Sequence, residues 1–125
     1  MLAQAHLVAF AATTDGAKAL EFYHGILALT VLSDDQFAIA FDANGTELRV
    51  QKVEHFTPQP FTSLGWQVAD VAAVVKQLAK HGVSTERYPW MEQDGNGVWS
   101  APSGARIAWF KDPEGNLLSV AQYAS

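Results

Sequence analysis

Few side chains in this sequence have the type and spacing that enzymes use for nucleophilic or acid–base chemistry. The chain contains no cysteine, which excludes a thiol nucleophile and thiolate metal ligands. It also lacks the Gly-x-Ser-x-Gly, Gly-Lys-Ser/Thr, dinucleotide-binding and His-Glu-x-x-His motifs. Two acidic residues in one glycine-containing stretch, Glu92 and Asp94, could each act as the base of a cofactor-free enzyme.

A second set of side chains suits the binding of a small molecule. In strand-like runs, successive side chains point to opposite faces. If the aliphatic residues of each run pack under a helix, the opposite face is apolar and aromatic with a few polar groups, as is usual for a small-molecule site. By this alternation the predicted pocket residues are Arg49, Gln51, Gln67 and Ser119. Trp90 and Trp99 are added as aromatic residues beside a glycine-containing stretch.

Arg49 is the most informative residue of this set. An inward guanidinium without a carboxylate partner would carry a large desolvation cost. We therefore expect Arg49 either to form an ion pair, with Glu47, Glu92 or Asp94, or to bind an anionic ligand.

Trp90 and Trp99 flank a stretch that contains Gly95 and Gly97. Three structures fit this pattern: a lid over the mouth of a cavity, a loop anchored to the sheet, or a dimer contact.

The elements that would position these residues form two similar series. Each series begins with a strand and an Asp-capped helix, and three further strands follow the helix. In the first series, the predicted strands are residues 5–12, 28–33, 36–41 and 46–53, and the helix follows residues 13–15. In the second series, the strands are residues 63–69, 85–88, 106–111 and 117–122, and the helix begins after Asp70 and ends at His81-Gly82.

The second series ends in a hairpin whose turn is Asp112-Pro113-Glu114-Gly115. Together with the preceding Trp109-Phe110 pair and the following Asn116 and apolar strand, this turn resembles the closing hairpin of the vicinal oxygen chelate superfamily, which includes glyoxalases, bleomycin resistance proteins and extradiol dioxygenases. The stretch Glu21–Leu27 (sequence EFYHGIL) resembles the Phe-Tyr and Leu-Gly-Leu signature of that superfamily, with Ala28 in place of the usual Gly.

This resemblance implies an α+β fold. Two βαβββ modules would be packed as an incomplete β-barrel around a central cavity, with the helices outside. The resemblance also implies that Trp109 lines this cavity, and the repeat then predicts Phe37 and Ile39 opposite it. We expect one domain, residues 1–125, made of two repeats at about 1–54 and 62–125. A connector that contains Pro58 and Pro60 joins them.

In metal-dependent members of the superfamily, inward positions on the first and last strands of each module hold the ion. The resemblance carries these positions onto Leu7 or Val8, Arg49, Ser63 and Ser119. Aliphatic side chains cannot bind a metal and a guanidinium repels a cation, so a metal-free protein is predicted. The alternative is a displaced divalent-metal site built from His6 with Glu47, Glu54 or His55.

Composition limits the partners. A net charge of −5 with scattered basic residues argues against a nucleic-acid surface, and no apolar run is long enough to cross a bilayer. We therefore expect a cytoplasmic protein, and the resemblance adds a homodimer.

These observations predict a metal-independent protein of the glyoxalase/bleomycin-resistance type that sequesters an aromatic or anionic organic ligand. The alternative is a metal-dependent glyoxalase-like lyase or dioxygenase with a displaced site. Whether the protein is an enzyme stays open at this stage.

Overall fold

The computed structural model describes residues 1–124, in two compact units: Met1–Thr57 and a second unit that begins at Pro58. Each unit has a four-stranded mixed sheet, in which the unit's first strand lies at one edge and is followed in space by its fourth, third and second strands. The chain order in each unit is strand, helix and three strands, which confirms the predicted α+β class and βαβββ modules. The enclosure of a cavity by the modules stays a prediction. Among residues 1–124, no helix has the length and hydrophobicity needed to cross a bilayer.

The first unit begins its helix where the sequence predicts. Asp15 is the N-cap, and its carboxylate accepts a hydrogen bond from the backbone N–H of Lys18 at 3.2 Å. Helix α1 (Gly16–Leu20) continues as a π-helical segment, Glu21–Ile26. The strands of this unit are β1 (Val8–Thr13), β2 (Thr30–Asp34), β3 (Ala38–Ala43) and β4 (Thr46–Lys52).

Aromatic rings form the core of the first unit. Phe22 and Tyr23 of the π-helical segment are buried. The Tyr23 ring lies 5.1 Å from that of Phe22 and 5.6 Å from that of Phe41 on β3. The helical segment thus packs against one face of the sheet, where Leu48 and Val50 are also buried.

The second unit repeats this plan with a regular helix. Asp70 caps α2 (Val71–Lys80), and its carboxylate accepts from the Ala73 N–H at 3.1 Å. The helix ends at His81 and Gly82, whose φ of +79° is the left-handed conformation usual after a helix. The strands of this unit are β5 (Thr62–Gln67), β6 (Trp99–Ser100), β7 (Arg106–Lys111) and β8 (Leu117–Gln122).

The predicted hairpin between β7 and β8 is confirmed. Asp112 is buried, and its Oδ1 accepts hydrogen bonds from the backbone N–H groups of Glu114 and Asn116, each at 2.9 Å. Its Oδ2 accepts from the Asn116 side chain at 2.7 Å. Gly115 completes the turn at φ +91°. One buried carboxylate therefore accepts three of the hydrogen bonds that close the turn.

Two strand predictions are wrong. Residues 85–88 are not a strand; they make one backbone hydrogen bond to β7, from Glu86 N to Trp109 O at 2.7 Å. The short strand β6 pairs with β7 instead. The first strand begins at Val8 instead of residue 5, because the preceding chain turns, with Ala5 N donating to Leu2 O at 3.0 Å.

Ala28 follows the π-helical segment with a φ of +64°. A side chain with a Cβ resists this conformation at a cost of about 1–2 kcal/mol, and glycine does not. Replacing Ala28 with Gly should therefore raise the free energy of unfolding by about 1 kcal/mol. Urea denaturation would measure the change.

Ala17→Gly is the matched control, because Ala17 is also exposed but lies inside α1. That substitution should lower stability by about 0.5–1 kcal/mol. A loss of stability in Ala28→Gly as well would contradict the strain assigned to Ala28.

Candidate functional site

A cleft of about 610 Å³ opens on one face of the second sheet, a size typical of small-molecule sites. Its floor consists of Trp109 and Lys111 of β7, Leu117 of β8 and Thr62 of β5. Strand pairing explains why these residues meet, because Lys111 and Thr62 both pair with Leu117. The alternate residues of β7, Ala108 and Phe110, are buried on the opposite face. We call this site the aromatic cleft.

Two segments outside the sheet form the walls of the aromatic cleft. Glu86, Tyr88, Trp90 and Met91 line one side, and the connector from Pro58 to Phe61 lines the other. The connector fits closely over the closing turn, because a Cβ on Gly115 would lie 3.1 Å from Pro58 Cγ. The lack of a side chain at Gly115 therefore allows the connector to pack this closely against the turn.

Four aromatic rings form a connected cluster at the cleft. Tyr88 lies 5.1 Å from Trp90 and 6.0 Å from Trp109 between ring centroids, and the second contact is edge-to-face. Trp99 of β6 lies 6.2 Å from Trp109 on the far side. Trp90 is 77% exposed, so its ring has a free face for a flat molecule to stack on.

Trp109 is held in a fixed orientation. Its indole Nε1 donates a hydrogen bond to Thr62 Oγ1 at 3.1 Å, and its carbonyl accepts from Glu86 N at 2.7 Å. The first bond joins two strands of the floor, and the second ties the floor to the wall. These two bonds hold the ring in one orientation, so it loses little conformational entropy when a ligand binds.

The wall segment is extended, and its side chains alternate in direction. Glu86 and Tyr88 line the cleft, whereas Thr85 and Arg87 bond to the glycine-containing loop. Arg87 donates to the carbonyls of Asp94 and Gly95 at 2.7 and 2.6 Å, and Thr85 donates to the carbonyl of Asn96 at 2.9 Å. These side-chain bonds join the wall segment to the loop.

Gln93 fastens the same loop from the other direction. Its side-chain amide accepts from Tyr88 N at 2.9 Å and donates to the carbonyls of Glu86 and Gly97 at 3.0 and 2.9 Å. Gly97 has a φ of +81°, and a Cβ there would lie 2.8 Å from Thr85 Cβ. Of the three structures considered for this stretch, these contacts favour the anchored loop. Its main anchor is segment 85–88, and the Asp94–Arg106 pair is a contact to the sheet.

The cleft carries one positive and one negative side chain. Lys111 Nζ lies 3.4 Å from Glu86 Oε1, and both side chains are partly exposed. Burial raises the pKa of Tyr88, the Glu86 carboxylate raises it further, and Lys111 opposes the rise. The Tyr88 phenol is therefore protonated at neutral pH.

Of the residues predicted to line a pocket in the second unit, Trp90 and Trp109 lie in the aromatic cleft and Trp99 contacts Trp109. Ser119 pairs with Trp109 across the sheet and Gln67 pairs with Ala121. Both polar side chains thus lie on the sheet face that carries Trp109, as the alternation predicts. Their contact with a ligand stays a prediction.

In the first unit, Arg49 forms an ion pair with Glu47, one of its three expected partners. Its Nη1 lies 3.4 Å from Glu47 Oε2, two residues away on the same strand face, and both side chains are about one-third exposed. Asp94 pairs with Arg106 instead, at 3.5 Å. Gln51 is exposed on the same sheet face as Arg49. A ligand contact by Arg49 or Gln51 stays a prediction.

The predicted orientation of Ile39 is wrong. Ile39 is 0% exposed and pairs with Val50 on the helix-covered face of the first sheet. Strand β3 begins at Ala38, two residues later than predicted, and Ala38 and Ala40 occupy the face that carries Arg49. Phe37 precedes the strand and is 68% exposed.

The positions that correspond to the metal ligands do not fit a divalent cation. In the first unit, Val8 lies on the sheet face of Arg49, and Leu7 precedes the strand, so the position falls on Val8. An alkyl group and a guanidinium offer no donor, and Ser63 and Ser119 of the second unit offer neutral hydroxyls.

The displaced site is not assembled either. Within residues 1–124, no three or more His, Cys, Asp or Glu side chains are grouped so that they could hold a metal ion.

Most residues of the aromatic cleft did not enter the sequence prediction, among them Thr62, Glu86, Tyr88 and Lys111. The alternation of Glu86, Tyr88 and Trp90 was visible in the sequence, and it points to one face of an extended segment. Which sheet face that segment borders depends on the Glu86–Trp109 backbone bond, which no local pattern encodes.

Comparisons with known proteins agree with this fold. Residues 3–120 match the family model described as the glyoxalase/bleomycin resistance protein/dioxygenase superfamily. A sequence comparison with curated proteins gave no significant match.

Several solved structures are similar to this chain. A protein assigned to the glyoxalase family from Bacillus anthracis has a TM-score of 0.76 and 15% identity, with 97% of this chain and 96% of that chain covered. Lactoylglutathione lyase from Agrobacterium tumefaciens has a TM-score of 0.74 and 13% identity, with 95% and 93% covered. The genomically encoded fosfomycin resistance protein FosX from Listeria monocytogenes has a TM-score of 0.74 and 12% identity, with 94% and 92% covered. At these identities the likeness shows the fold alone.

Asp94 gives the anchored loop a pH dependence. The backbone N–H of Val98 is the main cause that lowers the pKa of Asp94. Burial opposes it, and the N–H of Asn96 and the charges of Arg106 and Arg87 lower the pKa further. A lowered pKa contributes stability above the unfolded value of about 3.9, and this contribution is lost as pH falls through the folded pKa.

Asp94→Asn keeps an acceptor but removes the charge. We expect it to lower the melting temperature at pH 7, with the difference from the wild type shrinking below about pH 4. Thermal melts across this range would measure the effect, with Glu92→Gln as the control for loss of an exposed loop charge. A difference that is the same at every pH would contradict this account.

Proposed function

Because the chain belongs to the glyoxalase/bleomycin resistance protein/dioxygenase superfamily, we propose that it is a metal-independent binding protein whose aromatic cleft holds a flat organic molecule. The observation that carries this proposal is the connected set of rings at the cleft, Tyr88, Trp90 and Trp109, with Trp90 left 77% exposed. Trp90 and the exposed Phe61 line the same cleft, and an exposed apolar patch of this kind is typical of a ligand-binding groove.

The proposed mechanism is stacking on a preformed surface. Trp109 is oriented by its bonds to Thr62 and Glu86, and Tyr88 is fixed by its ring contacts and by the Gln93 side chain. A ligand ring would enter between the Trp90 side and the connector wall, where Phe61 is also exposed. The binding energy would come from buried apolar area and from ring contacts of about 0.5–1.5 kcal/mol each.

Stoichiometric sequestration fits this site better than turnover. The cleft holds no activated nucleophile, and its charged groups, Glu86 and Lys111, face each other. The proposal extends to a bleomycin-resistance type of protein, which captures an organic molecule without changing it. It also takes the protein to be a cytoplasmic homodimer, in line with its charge and family.

The stacking proposal can be tested with a neutral pair of probes, naphthalene-2-methanol and its saturated counterpart decahydronaphthalene-2-methanol. We expect the aromatic probe to bind more tightly and to shift the indole N–H resonances of Trp90, Trp99 and Trp109. Trp66, the fourth tryptophan of the chain, lies on the opposite face of the sheet with Val120 and should not shift. Heteronuclear NMR titration measures all four signals.

Trp90→Ala should weaken binding of the aromatic probe about tenfold. Phe37→Ala is the matched control, because Phe37 is another exposed aromatic side chain and belongs to the first unit. Equal affinity for the saturated probe, or a shift of Trp66 as large as the others, would refute stacking in the cleft.

Metal independence is tested separately. Freshly purified, untagged protein should contain far less than one equivalent of transition metal, and added Ni, Zn, Mn or Fe should not raise its melting temperature. A stoichiometric metal with a stabilising shift would instead support a metal-dependent lyase or dioxygenase with a displaced site, the alternative function.

A further inference from the structure

Glu86 and Lys111 place a negative and a positive charge next to each other in the aromatic cleft. Glu86 is two residues from Tyr88 on the wall, and Lys111 is two residues from Trp109 on the floor. In extended chain, this spacing places each charge about 7 Å along the backbone from its aromatic neighbour and on the same side. A ring that contacts Tyr88 and Trp109 would thus have one charge of each sign at the same end.

The ion pair between Glu86 and Lys111 is long and partly exposed. Lys111 Nζ contacts one Glu86 oxygen at 3.4 Å, and the side chains are 52% and 31% exposed. The first unit offers a contrast, because Lys52 Nζ lies 2.6 Å from both Asp34 Oδ1 and the Asp35 carbonyl. A long, exposed pair contributes little to stability, so ligand groups can replace it at small cost.

The pair also determines which ligand charges are tolerated. A lone carboxylate placed between these groups is attracted by Lys111 but repelled by Glu86, and a lone ammonium meets the reverse. A molecule with both groups can give its carboxylate to Lys111 and its ammonium to Glu86, so that every charge keeps a partner.

Resting on the proposed function of the cleft, we infer that Glu86 and Lys111 select the ligand and that the preferred class is an aromatic zwitterion. Such a ligand carries an ammonium and a carboxylate on one carbon, a short distance from its ring, as in an aromatic amino acid. The protonated Tyr88 phenol adds a neutral donor close to Glu86 without changing this balance.

Three probes with the same phenyl ring test this selection at pH 7: L-phenylalanine, 3-phenylpropionate and 2-phenylethylamine. The wild-type protein should bind phenylalanine about tenfold more tightly than either singly charged probe. Calorimetric titration gives the affinities, and the indole N–H signals of Trp90 and Trp109 locate the bound probe.

Two substitutions should change the preference in opposite directions. Glu86→Gln removes the negative charge, so 3-phenylpropionate should become the best ligand. Lys111→Met removes the positive charge and keeps the apolar stem, so 2-phenylethylamine should become the best ligand. Lys76→Met is the control, because it removes an exposed lysine on α2 of the same unit and should leave the preference unchanged.

Two results would overturn the inference and separate it from the proposed function. If naphthalene-2-methanol binds at Trp90 but the three phenyl probes bind equally, or if the variants keep the wild-type order, the selection by Glu86 and Lys111 is wrong and the stacking site stands. If neither naphthalene-2-methanol nor any phenyl probe shifts Trp90 or Trp109, both the site and the selection fail.

Discussion

The buried Asp112 carboxylate is the constraint on which the second unit depends. It accepts hydrogen bonds from two backbone N–H groups and one side-chain amide within the turn, and this fixes the register of β7 against β8. The register decides which side chains share a face, because a slip of one residue would exchange the two faces. With the observed register, Trp109 and Lys111 form the floor of the cleft while Ala108 and Phe110 are buried on the other face. This turn thus determines which residues of β7 belong to the core and which line the candidate site.

The wall of the cleft rests on a different kind of support. Segment 85–88 makes one backbone bond to the sheet, and the side chains of Thr85, Arg87 and Gln93 join it to the loop. Because alternate residues of an extended chain point in opposite directions, the residues that bind the loop leave Glu86 and Tyr88 on the cleft side. Residues 94–96 of the loop therefore hold segment 85–88 from one side, and its other side faces the cleft.

How far the sequence predicts this structure depends on how local each signal is. The helix caps Asp15 and Asp70 and the turn at residues 112–115 act within a few residues, and the structure has each where expected. Ile39 was misplaced because the start of its strand depends on pairing with β4, eleven residues away at Val50. Tyr88 was missed because its direction follows from a bond to a strand more than twenty residues later in the chain. Most of the fold was therefore predictable, whereas much of the candidate site depends on non-local contacts.

The anchored loop contains two glycines with opposite roles. Around Gly95 there is nothing within 4 Å of an added Cβ, and its backbone is not left-handed. Gly97 is buried against Thr85 in a left-handed conformation. Side chains can therefore be introduced at Gly95 with little disturbance, whereas any at Gly97 would push Thr85 away and release the segment that carries Tyr88. For directed evolution, this means that the loop offers one permissive position close to the cleft and, two residues later, one at which variation would dismantle the wall.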